Sequence, residues 1–272
     1  MQRRHFLNLL VGSAIASQMG WPEIGHAQTP SGQQPSTAGP MTWRNWSGSQ
    51  SSNPSHRLAP RSVNELLDIL SDPAYRGRNI RPVGSGHSFS PLVPTNDVLV
   101  SLARLNGILD HDDDQCRARI ATGTLLGQLG QPLENINQAL FNMPDIDQQS
   151  LGGLLATATH GTGAELMSLS GYIEGLTLVT AKGDVLECSR DQNPDIFQAA
   201  RVGLGSLGFV TDVTLQNRRP YRLKKTTEWL AIDDILNNAD ARAKAHRNYE
   251  FFYIPFSGMG FTSTHDITDE PV

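Results

Sequence analysis

A histidine directly after two closely spaced glycines, in Arg81-Pro82-Val83-Gly84-Ser85-Gly86-His87-Ser88-Phe89-Ser90, is the arrangement in this chain best suited to chemistry. Glycine permits positive φ and close approach of the backbone, so successive N–H groups can converge on an anion such as a pyrophosphate. The imidazole then stands beside whatever is held there. A second concentration of small and hydroxylated residues runs Ser150-Leu151-Gly152-Gly153-Leu154-Leu155-Ala156-Thr157-Ala158-Thr159-His160-Gly161-Thr162-Gly163. A segment that only packed a strand would use branched apolar side chains. This composition suits backbone and hydroxyl groups lying against a large, flat, phosphate-bearing ligand. A third stretch, Gly203-Leu204-Gly205-Ser206-Leu207-Gly208-Phe209-Val210, carries a helix end into a strand through glycines.

Other chemistries fit these residues poorly. Phe89 occupies the place of the third glycine in a dinucleotide fingerprint, and Pro91 and Pro94 interrupt the helix that should follow, so a doubly wound nicotinamide site is disfavoured. The nucleophile elbow of serine hydrolases is missing, because Val83 precedes Ser85 and Leu204 precedes Ser206 where a glycine is required. A net charge of −5 without a basic stripe argues against a nucleic-acid partner. The run Asp110-His111-Asp112-Asp113-Asp114 reads as a solvated hairpin connection, and no metal site is expected. Cys116 and Cys188 could pair in an oxidising compartment, but without a disulfide-framework spacing they read as two buried thiols.

In this order, the three segments resemble the PCMH-type FAD-binding domain of the vanillyl-alcohol oxidase family, especially its sugar-lactone and alditol oxidase branch. That branch includes gulonolactone and arabinonolactone oxidases. The resemblance runs from about Trp43 to about Leu223. It implies an α+β fold with a two-lobed FAD-binding domain, a small βαβ lobe plus a larger mixed lobe, followed by the start of an α/β cap domain. It carries FAD contacts onto Val83, Gly84, Ser85, Gly86, His87, Ser88 and Phe89, onto Ser150, Gly153, Ala158, Thr159, His160, Gly161 and Thr162, and onto Gly208 and Val210. It also makes His87 the attachment point of a covalent histidyl bond to the flavin 8α-methyl carbon. His160, taken by itself, reads as a residue that orders its glycine turn through a hydrogen bond.

Four divisions follow: a twin-arginine signal over 1–27, a Ser/Gln/Pro-rich spacer over 28–42, the FAD-binding domain over 43–222 and an incomplete cap over 223–272. The signal rests on Arg3-Arg4-His5-Phe6-Leu7, a short apolar run and a small-residue site ending at Ala27. Its apolar run falls short of the roughly 20 residues that span a bilayer. Export to the periplasm or the exterior is therefore expected, with no stable membrane span after signal removal.

Local signals place the motifs. Ser62-Val63-Asn64-Glu65 is a capping box, followed by a helix that buries Leu66, Leu67, Ile69 and Leu70. Strands are expected over 78–83 and 98–102. Thr124 should cap a helix through Leu129, with Pro132 separating it from a second over 133–140. A hairpin turns at Ala181-Lys182-Gly183-Asp184. Asn193 should cap a helix that Pro194 opens. Beyond Leu223, an amphipathic piece over 232–245 and an aromatic strand over 249–255 are expected.

By the same resemblance, the function is oxidation of a hydroxyl of a sugar lactone or polyol by hydride transfer to flavin, with oxygen or a respiratory-chain component as acceptor. The family's cap domain supplies the residues that handle the hydroxyl proton, and its closing Trp-Gly-Lys type motif is absent from this sequence. A truncated, non-catalytic FAD-binding remnant, or a subunit needing a second chain, is the alternative. A cell-wall-precursor flavin reductase is disfavoured by the signal and by the His87 loop.

Overall fold

The computed structural model describes residues 42–271. The signal and nearly all of the spacer expected from sequence lie outside the described residues. Two short strands, β1 (Trp43–Arg44) and β2 (Ser51–Ser52), pair as a ribbon around a turn. A small lobe follows: β3 (His56–Leu58), α1 (Val63–Ser71), β4 (Ile80–Val83) and β5 (Val98–Ser101). Its sheet is parallel, with β5 between β3 and β4. Ser62 Oγ accepts from the Glu65 N–H at 3.1 Å, which satisfies one free donor of the first turn. The carboxylate of Glu65 accepts from the N–H of Arg61 at 2.7 Å rather than from the capping residue, so the box closes one residue early.

The larger lobe contains β6 (Ile108–Asp112), β7 (Arg117–Ala121), α2 (Gly130–Asn135), α3 (Leu151–Ala156), β8 (Ile173–Val179), β9 (Val185–Ser189), α4 (Pro194–Ala200) and β10 (Phe209–Gln216). Its antiparallel sheet has the order β6-β7-β10-β8-β9. Alternation along the strands divides its two faces. Ala118, Ile120, Leu176, Leu178, Cys188, Val213 and Leu215 join the helices in one buried cluster around Phe197. On the other face, Arg119 Nε lies 2.6 Å from Asp212 Oδ1, and Thr177 donates to the same oxygen at 3.0 Å. The hydrogen bond from Arg119 to the Asp212 carboxyl raises the Arg119 pKa above its ordinary value. Cys116 and Cys188 are both free thiols, but only Cys188 is buried; Cys116 sits half-buried in the turn after β6, against the expectation that both are buried.

Four local expectations are revised. The acidic run is largely part of β6, and the chain reverses at 113–116 with Cys116 at φ +50°. The hydroxyl of Thr124 donates to the carbonyl of Ala121 instead of capping a helix. Pro132 sits in the first turn of α2, where its missing N–H costs no intrahelical bond, and the helix ends at Asn135. Asn193 adopts a left-handed conformation without a side-chain cap and donates to the carbonyl of Glu187 at 2.8 Å.

After Pro220 the chain forms β11 (Arg222–Ala231), α5 (Ile232–Ala245), β12 (Asn248–Ile254) and β13 (Met259–Thr268), with β13 central in an antiparallel sheet. Fully buried Ile235 anchors α5, and its Cδ1 lies where a Cβ on Gly260 would come within 2.9 Å. The segment Arg247–Asn248 joins this sheet to the larger lobe. Asn248 Nδ2 donates to the carbonyl of Thr162 at 2.8 Å, and Arg247 bonds the carbonyl of Phe141. The His246 imidazole and the Arg247 N–H both bond Asp266, holding its carboxyl below the usual carboxylate range.

Truncating Phe197 to alanine removes the largest fully buried side chain of the main cluster. A loss of about 3–5 kcal/mol is expected, read as a lowered urea midpoint of the folded chain with an unchanged slope.

Candidate functional site

The two lobes share apolar residues, and the candidate site opens along that junction. Val179 and Phe209, at the ends of β8 and β10, pack with Leu66, Val98 and Val100 of the small lobe. Beside this contact is a cavity of about 320 Å³, within the size range of small-molecule and cofactor sites. It is lined by four backbone-rich segments: Arg81 to Ser88, Thr122 and Gly123, Gln149 to Thr159, and Gly203 to Val210.

Each segment is held by contacts that only glycine permits. A Cβ on Gly84 would lie 2.2 Å from Ser150 Oγ, so the first loop crosses directly over the start of α3. A Cβ on Gly123 would lie 1.9 Å from the carbonyl oxygen of Leu102. Gly208, at φ +137°, would bring a Cβ within 2.2 Å of the carbonyl of Val179. At Gly123 and Gly208 the opposing atom is a backbone carbonyl oxygen, so a side chain there would part the segments, whereas at Gly84 the Ser150 hydroxyl would have to turn away.

Among the described residues, the N–H groups of Ser85, Gly86, His87, Ser88 and Phe89 have no hydrogen-bond partner within the protein. The N–H groups of Gly205, Leu207 and Gly208 are likewise without one. Uncommitted backbone donors in two loops at one cavity form a concave set suited to phosphate oxygens. The cavity lining contains no carboxylate, and its one permanent cation is Arg81, so nothing charged there opposes an anion. Arg81 bonds the carbonyl of Leu92 and thereby fixes the segment after the histidine loop, which returns Leu92 and Val93 to the wall.

His87 lies on the wall, half-buried. Burial lowers its pKa, so the imidazole stays neutral to a lower pH than an exposed histidine. A neutral ring keeps one nitrogen lone pair free to form a bond.

Of the residues carried over by resemblance, Val83, Gly84, Ser85, Gly86, His87, Ser88, Ser150, Gly153, Thr159, Gly208 and Val210 line the cavity. Phe89, Ala158, His160, Gly161 and Thr162 do not. Phe89 is turned out, with its ring edge on Trp46 at 6.3 Å. Ala158 takes φ +55° at the end of α3. His160 is exposed, with Nδ1 3.0 Å from the carbonyl of Gly161. Gly161 packs where a Cβ would meet the carbonyl of Met143 at 2.2 Å, and the Thr162 carbonyl accepts from Asn142 and Asn248. Residues not anticipated are Thr122, Gly123 and the turn Ser101–Ala103. The run Ala121-Thr122-Gly123-Thr124 has the same small, hydroxylated character as the second segment and could have revealed them.

A family described as FAD binding domain matches residues 54–189, half of the chain. The chain belongs to this FAD-binding family. The FAD-binding domain here has the two-lobed α+β PCMH-type fold. Over 84% of its length the chain is 37% identical to an L-gulono-1,4-lactone dehydrogenase of Mycobacterium tuberculosis, covering 53% of that relative. It is 34% identical to an L-gulonolactone oxidase of Scyliorhinus torazame over 85% of its length, covering 52% of that protein. The chain thus spans about half the length of these curated relatives. Among solved structures, cholesterol oxidase from B. sterolicum superposes with a TM-score of 0.72 at 18% identity, over 84% of this chain and 47% of that one. That likeness concerns the fold.

The residues present fit FAD: partnerless N–H groups meet the need of a pyrophosphate, and an apolar wall with Leu154, Leu178 and Leu204 suits flat rings. No helix among the described residues is long and apolar enough to cross a membrane. Among them, too, no group of three or more His, Cys, Asp or Glu could hold a metal ion.

Substituting Gly208 with alanine adds both a contact with the carbonyl of Val179 and a backbone strain of about 1–3 kcal/mol. FAD titration of the folded variant, followed by flavin fluorescence, is expected to show affinity reduced by at least about tenfold, the equivalent of 1.4 kcal/mol.

Proposed function

We propose that this chain is the FAD-binding part of an oxidoreductase that oxidises a hydroxyl of a sugar lactone or polyol, with oxygen or a respiratory-chain component as electron acceptor. The observation that carries the reading is the convergence of Gly84–Ser88, Ser150–Gly153 and Gly203–Val210 on one acid-free cavity. The similarity to lactone dehydrogenases and oxidases supports the substrate class. When bound, FAD supplies the capacity to accept a hydride from the carbon bearing the hydroxyl.

The chain's own residues then have separable tasks. Backbone N–H groups of Ser85 to Ser88 and of Gly205, Leu207 and Gly208 would hold the pyrophosphate. The Ser150 hydroxyl lies directly under the loop at Gly84, where a Cβ would come within 2.2 Å of it. Thr122 donates to the carbonyl of Val210 at 2.6 Å and locks the two strands below the site. Leu92 and Val93, pinned through Arg81, exclude water from one side. The neutral His87 would be the residue that holds the flavin covalently. His160, Gly161 and Thr162 lie outside the cavity lining, and the Thr162 carbonyl fastens the sheet of β11–β13 through Asn248. The twin-arginine pattern supports export of the protein with its cofactor already bound, to the periplasm or the exterior.

Two measurements test this reading. The full chain and His87→Ala are each loaded with FAD and precipitated in acid; flavin fluorescence is expected in the wild-type pellet and absent from the variant pellet. Anaerobic addition of L-gulono-1,4-lactone to the loaded protein together with a complete cap domain is expected to bleach the flavin absorbance. Absence of bleaching by every sugar lactone and polyol tried would overturn the substrate class.

A further inference from the structure

The turn between β1 and β2 is built against the His87 loop. Trp46 N–H donates to the carbonyl of Gly86 at 2.8 Å. Asn45 Nδ2 donates to the carbonyl of Ser88 at 3.1 Å, and Gln50 Nε2 to that of Phe89 at 3.2 Å. The carbonyls flanking His87 are therefore both held from outside the cavity, while the N–H groups of the same loop remain uncommitted. Asn45 is itself buried and accepts from the Gln50 N–H at 2.9 Å, so the turn is braced internally. Gly86, at φ +73°, would place a Cβ 3.4 Å from the Trp43 ring. Above this clamp, the Trp46 indole stacks on the His87 imidazole with centroids 5.5 Å apart and planes inclined by 20°.

The stack is not explained as core packing, because Trp46 is 60% exposed. An indole left that open contributes little through burial. It does limit one imidazole face and the rotation of the terminal ring, a torsion that is otherwise broad.

We propose that Trp46 is a positioning residue for His87, holding the imidazole at the angle from which a ring nitrogen bonds the flavin 8α carbon. The inference rests on the His87 attachment proposed above and assigns Trp46 a role within it. In the attachment, a C–H bond at the 8α carbon breaks and an N–C bond to His87 forms. Two protons leave, one from that carbon and one from the imidazole, and two electrons remain on the flavin until dioxygen takes them up with two protons as hydrogen peroxide. Neither the backbone clamp nor the indole takes part in these transfers. Their effect is on the geometry of the bond-forming nitrogen, to which such steps are sensitive.

The test compares the full-length wild type, Trp46→Ala, Trp46→Phe and His87→Ala after incubation of each with FAD in air. Total flavin bound under native conditions and flavin retained after acid precipitation are measured separately. Trp46→Ala is expected to bind the wild-type amount of flavin natively, with its acid-stable fraction formed about tenfold more slowly. Trp46→Phe, which keeps a flat ring, is expected to recover most of the wild-type rate. Equal rates of attachment in wild type and Trp46→Ala would overturn the positioning role alone. Loss of all native binding in Trp46→Ala, or no recovery in Trp46→Phe, would also overturn it and make the contact structural. Acid-stable flavin persisting in His87→Ala would overturn the His87 assignment, and the role of Trp46 with it.

Discussion

Close approach of bare backbone is the constraint on which the rest of this structure depends. The cavity exists because Gly84 can cross Ser150, Gly123 can pass the carbonyl of Leu102, and Gly208 can lie against that of Val179. At Gly123 and Gly208 a single methyl group would push two elements apart, and at Gly84 it would displace the Ser150 hydroxyl. These contacts bring the parallel sheet of the small lobe and the antiparallel sheet of the larger lobe to one junction, where Val179 and Phe209 are shared with Leu66, Val98 and Val100. Burial at that junction supplies the cohesion. The glycines supply the access, leaving peptide N–H groups at the surface of the cavity instead of side chains.

Electrostatics follows the same division. Charged groups of the larger sheet, including Arg119, Asp212 and Glu187, lie on the face turned away from its hydrophobic core. The cavity lining keeps only Arg81 as a permanent cation and contains no carboxylate. Anion recognition is therefore assigned mainly to peptide dipoles, fixed by the fold and independent of pH. His87 complements this arrangement, since partial burial favours its neutral form. As an isolated effect on stability, a histidine with a depressed pKa costs nothing above its unfolded value near 6.5 and destabilises the fold as pH drops below it.

Much of this was legible in the sequence because the strongest signals were local. Two glycines before His87, the small residues after Ser150 and the glycines before Phe209 each mark a place where backbone must come close, whatever its partner. The helix over 63–71, the hairpin at 181–184 and the helix over 232–245 were marked by capping, turn chemistry and periodicity. Features that depend on distant partners were less legible. Pro132 looked like an interruption, but its place in the first turn of α2 was set by packing of Leu129 and Leu133 in the main cluster. Thr122 and Gly123 join the site only because Gly123 meets the Leu102–Leu105 turn. The stacking of Trp46 on His87 spans 41 positions and leaves no periodic trace. The strand β11 was hidden by its polar, largely exposed residues, and β13 by its small and hydroxylated ones, among which Thr262, Ser263 and Thr264 are buried.

Amide hydrogen exchange of the full chain with and without saturating FAD tests the central assignment most directly. The N–H groups of Ser85 to Ser88, and of Gly205, Leu207 and Gly208, have no partner within the described protein and should exchange rapidly in its absence. Marked slowing at both groups on FAD addition, with little change on the β11–β13 face distant from the cavity, is the expected result. Binding of FAD that leaves both loops exchanging at their original rates would contradict the assignment of this cavity as the pyrophosphate site.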